Sequence, residues 1–123
     1  MGTFYLDCEI ENWTTDQKRS AVVPHMLVDG GSEHTWVPAS VLESLGVARQ
    51  KKDLTFVMAN GQRITRSVGF AVIRCSEFFT VDEIVFAEPG DLPILGARSL
   101  EGFDARVDAY NKTLVAAGPV PAA

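Results

Sequence analysis

The sequence contains little that would direct the chain to a membrane or to nucleic acid. No stretch of its 123 residues approaches the roughly 18 consecutive apolar residues of a membrane-spanning helix, and no basic segment precedes an apolar one as in a signal peptide. Basic residues form no run longer than two, and the formal net charge is −5. Because phosphate binding requires clustered lysine and arginine, we expect no nucleic acid partner. We also expect no membrane partner, and a cytoplasmic location.

Cysteine is equally scarce. Cys8 and Cys75 stand alone in segments with the composition of strands, without the Cys-x-x-Cys or histidine-rich spacing of a metal site. Two buried free thiols that act as small apolar side chains are the favoured interpretation. A disulfide stays open, because the sequence cannot place the two segments within bonding distance.

What the sequence does contain is a series of short segments in which apolar and polar residues alternate. The length fits one domain, and 46% hydrophobic with 22% charged residues is typical of a globular protein. Alternation from Phe4 to Ile10, and in later segments, predicts half-buried strands separated by turns. We predict a mainly β, barrel-like domain with nine strands and one or two short helices over residues 1–116. The small, proline-containing segment 117–123 is predicted to be flexible.

Several turns are predicted from individual residues. Asn60 and Gly61, between strands over residues 54–58 and 63–75, indicate a hairpin with a type I′ turn in which both residues have φ > 0. Residues 76–80 are expected to form a turn, and residues 107–110 a strand. Short helices are expected to end at Gly46 and at Gly102.

Asp29 is the residue that suggests a catalytic function. An apolar run over residues 21–28 reads as a buried strand, and it ends in a carboxylate followed by two glycines. We expect Gly30 and Gly31 to turn the backbone through φ > 0 and to direct N–H groups at the carboxylate.

Two segments resemble one protein family. They are Leu27-Val28-Asp29-Gly30-Gly31-Ser32 with Thr35-Trp36-Val37-Pro38 and Leu42-Glu43-Ser44-Leu45-Gly46-Val47, and Leu92-Pro93-Ile94-Leu95-Gly96-Ala97-Arg98-Ser99-Leu100. The first is similar to the active-site segment of the retropepsin-like aspartic proteases, the single-domain homodimeric relatives of pepsin. The second resembles the family's apolar-apolar-Gly strand, which packs beside the active-site loop, and the helix that follows it. The resemblance covers residues 4–115. Gly30 departs from it, since the family has Thr or Ser there, with a hydroxyl that braces the two loops of a dimer.

The resemblance implies a closed β-barrel with a flap hairpin and an aspartic endopeptidase activity. Asp29 would be catalytic, paired with Asp29 of a second subunit, in a loop formed by Gly30, Gly31 and Ser32. The flap tip would be Ala59, Asn60 and Gly61, and substrate contacts would come from Val37, Met58 and Ile94. A polypeptide would be the substrate and a homodimer the active form, with no metal and no organic cofactor.

Other interpretations stay open. Because Gly30 lacks the bracing hydroxyl, the domain could bind peptides or proteins with weak or no catalysis. A Ser32-His34-Asp29 triad or a metal site with His25 and His34 is disfavoured, since residues so close along a turn usually point apart. A metal pair at Asp104 and Asp108 is less expected than an exposed strand face, and an unrelated β domain of structural role is the third possibility.

Overall fold

The computed structural model describes residues 3–15 and 19–122. Within those ranges the chain forms nine strands and two short helices: β1 (Tyr5–Asn12), β2 (Arg19–Val28), β3 (Thr35–Pro38), α1 (Ala39–Ser44), β4 (Lys51–Val57), β5 (Arg63–Cys75), β6 (Phe78–Ala87), β7 (Ile94–Leu95), α2 (Ala97–Gly102), β8 (Ala105–Asp108) and β9 (Thr113–Ala116). The prediction of a mainly β domain with two short helices is confirmed. Neither described helix has the length and apolar character needed to cross a membrane.

Seven strands form one sheet in the order β1-β2-β7-β3-β6-β5-β4, and β8 and β9 form a separate pair. The hairpins β1–β2, β4–β5 and β5–β6 are antiparallel. β1 pairs with β5 as well, through Glu9–Glu11 opposite Val72–Arg74. β4 pairs only with β5, so among the described strands it is an edge of the sheet.

Two apolar clusters hold these elements together. The larger contains Ile10, Met26, Leu42 and Phe86, none of them more than 1% exposed. The smaller consists of Trp36, Val68, Val85 and Ala87, with Leu54 and Phe56 of β4 packed against it. The C-terminal half of β6 is buried on both faces, because Ile84 and Phe86 belong to the larger cluster and Val85 to the smaller.

β7 is the element that organises the candidate site. It lies between β2 and β3, parallel to the first through Leu27 opposite Ile94 and antiparallel to the second through Trp36 opposite Ile94. The prediction that this segment packs beside the Asp29 loop is confirmed, since the backbone N–H of Asp29 donates to the carbonyl of Leu95 at 3.0 Å.

The helix after β3 ends as predicted. Gly46 has φ 76°, its N–H donates to the carbonyl of Glu43, and the N–H of Val47 donates to that of Leu42. This is the Schellman arrangement, which only glycine enters at low cost. α2 ends at Gly102, but there the left-handed residue is Asp104, with φ 53°.

Two predicted boundaries were wrong. The turn predicted over residues 76–80 is confined to Ser76 and Glu77, because Phe78 already pairs with Cys75 and begins β6. The strand predicted over residues 107–110 runs from Ala105 to Asp108. It stops there because the carboxylate of Asp108 accepts hydrogen bonds from the backbone and side chain of Asn111, which fixes a turn.

Cys8 and Cys75 are both buried and both free, as the favoured interpretation predicted. They are close enough to hydrogen-bond, which lowers the pKa of Cys75 and raises that of Cys8. Residues 117–122 are exposed and form no helix or strand, and the N–H of Ala117 donates to the carbonyl of Asp104 at 2.8 Å.

Candidate active site

The backbone on both sides of Asp29 is fixed by hydrogen bonds. Its N–H donates to Leu95, while the N–H of Val28 donates to the carbonyl of Phe4 at 3.0 Å. On the other side, the N–H of Ser32 donates to the carbonyl of Asp29 at 3.1 Å. The backbone position of Asp29 is therefore determined by two other segments, at Phe4 and Leu95, and by a turn within its own loop.

The carboxylate of Asp29 is held by its own loop. Its Oδ1 accepts a hydrogen bond from the N–H of Gly31 at 2.9 Å, which confirms that the loop directs an N–H at it. A Cβ at Gly31 would lie 3.1 Å from Oδ1, a tight contact that glycine avoids. The prediction of φ > 0 was wrong for both glycines, since the positive-φ glycines among the described residues are at 46, 61, 90 and 118. Glycine at 31 serves close approach.

Gly30 has no such constraint. It is exposed, its φ is not in the left-handed region, and a Cβ there would meet no atom within 4 Å. The backbone at this position therefore accepts a larger side chain, including the threonine or serine of the resembling family.

The loop is tied to α2 through Ser32 and Glu33. The carbonyl of Ser32 accepts from the N–H of Ala97 at 2.7 Å, and that of Glu33 from the N–H of Arg98 at 3.0 Å. Between the two segments lies Gly96, where a Cβ would stand 2.2 Å from the carbonyl oxygen of His34. No side chain fits at this contact, so glycine is required at 96 for the loop to approach the helix.

The disfavoured triad is not formed. The hydroxyl of Ser32 donates to the backbone carbonyl of His34 at 2.9 Å, and the His34 imidazole lies 3.4 Å from the carboxylate of Glu83. Within the described ranges, no group of three or more His, Cys, Asp and Glu side chains is placed to hold a metal ion.

A groove of about 730 Å³ runs between the Asp29 loop, β4 and residues 90–94. Its apolar lining comes from eight side chains of β3, β4, the hairpin and the β7 region: Trp36, Leu54, Phe56, Val57, Met58, Ala59, Leu92 and Ile94. Its polar lining includes Asp29, Ser32, Glu33, His34, Thr55 and Asp91. The edge strand β4 contributes every residue from Leu54 to Val57, so one wall of the groove has unpaired strand backbone along its length.

The structure brings most of the predicted site residues to this groove. Asp29, Gly31 and Ser32 of the loop line it, as do Ala59 of the hairpin tip and the predicted contacts Met58 and Ile94. Gly30, Asn60 and Gly61 lie outside the lining.

Val37 is the exception among the predicted contacts. It is 0% exposed and belongs to the larger apolar cluster, on the opposite side of β3 from the groove. Trp36 lines the groove in its place, and its ring packs against that of Phe56 with 5.3 Å between centroids and 60° between planes. Strand alternation was the signal that could have separated the two, because neighbouring residues point to opposite faces.

The tip of the β4–β5 hairpin differs from the predicted type I′ turn. Only Gly61 has positive φ, at 85°, and Asn60 does not. The N–H of Gly61 donates to the carbonyl of Met58, and the N–H of Met58 donates to that of Gln62, both at 2.8 Å. These bonds define a three-residue loop, a type I turn followed by a left-handed glycine. The side chain of Asn60 is used instead to accept from the N–H of Gln62.

Sequence reasoning missed the ion pairs that flank the groove. Arg66 holds Asp91 through two hydrogen bonds, at 2.7 and 2.9 Å, and so lowers the pKa of that carboxyl. Glu83 is bonded by Lys51 and by Arg98, and its pKa is lowered for the same reason. Both acids are therefore ionised near neutral pH and occupied by cations. These partners are far apart in sequence and carry no local pattern.

No protein-family model matches the chain, and no curated protein matches it in sequence.

Proposed function

We propose that this chain is an aspartic endopeptidase that acts on extended polypeptide, with Asp29 from each of two copies forming the catalytic pair. One observation carries the proposal. Asp29 has its backbone held by two other segments and by its own loop, its carboxylate held by Gly31, and its side chain at the lining of an apolar groove bounded by an edge strand.

Two copies are needed because the groove of one copy offers no second free carboxyl. Hydrolysis by aspartate requires one acid and one base around a water molecule. Asp91 is occupied by Arg66 and ionised, and the side chain of Glu33 is 71% exposed and lies 3.6 Å from Arg98. A two-fold axis near Asp29 would supply an identical carboxyl from the second copy.

The chemistry then follows from two carboxyls at close range. Like charges so near each other cannot both ionise easily, so the pair shares one proton and titrates in two steps. The ionised Asp29 takes a proton from water as the water attacks the peptide carbonyl. The protonated Asp29 donates a hydrogen bond to that carbonyl and stabilises the oxyanion. When the tetrahedral intermediate collapses, the C–N bond breaks and the Asp29 that took the proton from water gives it to the leaving amine. Nothing in these steps calls for a metal or an organic cofactor.

The edge strand supports polypeptide as the substrate. An extended peptide laid beside β4 can pair with its unpaired backbone, as peptides do when they add a strand to a sheet. Alternate side chains of that peptide would then enter the apolar surface of Trp36, Phe56 and Ile94, while the others stay in solvent.

The strand pairings support a closed barrel. Consecutive pairs run from β1 through β2, β7, β3, β6 and β5, and β5 pairs back to β1. We infer a closed barrel from this circuit, with β4 and the hairpin tip as a flap outside it.

A second candidate function follows from Gly30. Without a hydroxyl at this position, nothing braces the two loops of a dimer, and the loss of such a bond is worth about 1 kcal/mol per contact. The same groove could then bind a peptide without cutting it. Since a Cβ at position 30 meets open space, Gly30→Thr should fold normally, strengthen the dimer and raise cleavage. A variant that neither dimerises nor cleaves better would count against the bracing argument.

Cleavage of a broad peptide mixture from acid to neutral pH, at high protein concentration, tests the proposal. Asp29→Asn should abolish the cuts while leaving the fold intact, because it removes the base and keeps the shape. Asp104→Asn is the matched control, since Asp104 is exposed and lies outside the groove lining. Cuts that persist in Asp29→Asn would contradict the proposal. Peptides that bind a dimeric sample and stay uncut would favour the second candidate.

A further inference from the structure

A continuous chain of hydrogen bonds leads from the backbone of Asp29 into the protein. The N–H of Asp29 donates to the carbonyl of Leu95, and the N–H of Gly96 donates to Oγ1 of Thr35, both at 3.0 Å. That carbonyl and that N–H belong to the same peptide unit, so the two bonds lie at its opposite ends. Any group that acts on Thr35 therefore acts on the peptide that holds Asp29.

The chain continues through two buried hydroxyls to a carboxylate. Oγ1 of Thr35 lies 2.6 Å from Oγ of Ser99, and Ser99 donates to Oδ2 of Asp82 at 2.7 Å. Thr35 and Ser99 are both 0% exposed. These three residues come from β3, α2 and β6, so the chain crosses three elements beneath the groove.

The direction of each bond is fixed by the two ends. The N–H of Gly96 can only donate, and an ionised Asp82 can only accept. Each hydroxyl has one hydrogen to donate. Ser99 donates its hydrogen bond to Asp82, so Thr35 must be the donor in its bond to Ser99. All donors therefore point from Asp29 towards Asp82, an arrangement in which successive bonds polarise and strengthen one another.

Asp82 lies among groups that oppose each other. Burial raises the pKa of its carboxyl, while Ser99, the backbone N–H of Glu83, Arg98 and His34 each lower it. Burial prevails, and the pKa of Asp82 lies above its ordinary value. The carboxyl at the end of these hydrogen bonds therefore changes charge at a higher pH than an ordinary aspartate does.

We propose that Asp82 is a positioning residue for Asp29, acting through Ser99, Thr35 and the Leu95–Gly96 peptide. Its ionised carboxylate fixes which group donates in each of these hydrogen bonds, and so holds the Asp29 loop in position relative to α2. When Asp82 is protonated, its O–H can compete as a donor, the order is lost and the loop is held less firmly. The fixed hydrogen-bond order stands on the fold alone, whereas its effect on catalysis rests on the proposed function.

The donor–acceptor order of these hydrogen bonds can be tested by following backbone amide resonances by NMR between about pH 3 and 7. The titration is run in the Asp29→Asn chain, so that Asp29 does not report its own ionisation. The amides of Gly96 and of position 29 should shift together, with one midpoint above the ordinary aspartate range. Adding Asp82→Asn should remove both shifts, and Asp104→Asn should leave them. Shifts that survive Asp82→Asn would overturn the proposal.

A matched pair at Thr35 separates the chain from simple packing. Thr35→Val keeps the shape and removes the hydroxyl, whereas Thr35→Ser keeps the hydroxyl and removes a methyl group. Loss of the coupled shifts in Thr35→Val and retention in Thr35→Ser is the expected result. Equal behaviour of the two variants would contradict transmission through the hydroxyl, whichever of them is the more stable.

Cleavage kinetics give the second readout. In an active enzyme, Asp82→Asn should lower kcat roughly ten-fold or more with KM nearly unchanged, because a displaced catalytic group weakens the transition state more than binding. The acid limb of the pH profile should move as well. An unchanged kcat and profile would overturn the positioning role. A wild-type chain without activity would refute the proposed function, and the NMR shifts would still decide the hydrogen-bond order.

Discussion

Asp29 stands between two regions that differ in how tightly they are built. Beneath it lies a floor formed by Thr35, Leu95, Gly96 and Ser99, all buried, with Thr35 and Ser99 hydrogen-bonded and no space for a Cβ at Gly96. Above it lies a rim formed by Gly30 and residues 59–61, all of them exposed, with open space around Gly30 and Gly61.

The difference shows where this site is constrained. The glycines beside Asp29 look like the critical ones in sequence, yet Gly30 has neither a positive φ nor a close neighbour. The glycine of this site that cannot be replaced is Gly96, which lies 67 positions after Asp29 and contacts the backbone of the loop at Ser32 and His34. A rigid floor with an open rim suits a site whose upper half is completed by a second chain or by substrate.

Gly96→Ala should have the largest effect. The added Cβ would meet the carbonyl oxygens of His34 and Ser32 at 2.2 and 2.9 Å, and backbone atoms cannot rotate away. We expect a loss of about 3 kcal/mol or more in the free energy of unfolding, measured in urea. A loss below about 0.5 kcal/mol would show that the floor is not rigid.

Arg66→Gln should come next, because it breaks the paired hydrogen bonds that hold residue 91 at the groove. The expected loss is about 1.5–3 kcal/mol at neutral pH. Asp91 has a lowered pKa in the fold, so the pair stabilises fully above the ordinary aspartate pKa, and the benefit disappears as pH falls through the folded value. The difference between Arg66→Gln and the unchanged chain should therefore shrink in acid. A difference that is constant from neutral pH to pH about 2 would contradict this.

Gly61→Ala should cost about 1 kcal/mol, because φ 85° is a strained conformation for a residue with a Cβ. Space is not the reason, since the tip is open. Gly61→Asn should cost less, as asparagine tolerates the left-handed region better than alanine. Thermal unfolding of the two variants side by side should show Gly61→Asn to be the more stable. A more stable Gly61→Ala would argue against backbone strain.

Gly30→Ala should have the smallest effect on the fold and the opposite sign. It meets no atom within 4 Å and needs no left-handed backbone, so restricting the unfolded chain should make it neutral or stabilising by up to about 1 kcal/mol. It is also the control for Gly96→Ala. A clear loss of stability in Gly30→Ala would break the contrast between floor and rim.

Much of the fold could be predicted from local pattern. Alternation located the strands, and Gly46 ended α1. The place of the apolar segment at 94 and 95 beside Asp29 was instead implied by the family resemblance. The errors arose where a neighbour decided the conformation. The end of β8 is an example, because the carboxylate of Asp108 stopped the strand by accepting hydrogen bonds from Asn111.

For the candidate site, the sequence predicted individual residues but not the contacts between residues that are distant in sequence. Asp29, Met58 and Ile94 follow from motif and position, but Trp36 replaced Val37 at the groove because the face of a four-residue strand depends on its register. The partners Arg66 with Asp91, and Thr35 with Ser99, are 25 and 64 positions apart and have no sequence signature. Polar contacts between residues so far apart in sequence are determined by tertiary packing.

Mixing unchanged chains with Asp29→Asn chains tests the central claim most directly. After subunits have exchanged, peptide cleavage is measured at constant total concentration as the unchanged fraction is varied. If each site needs Asp29 from two copies, activity should follow the square of that fraction, so an equal mixture retains about one quarter. Activity proportional to the fraction, with about one half retained, would place the whole site in one chain and contradict the account.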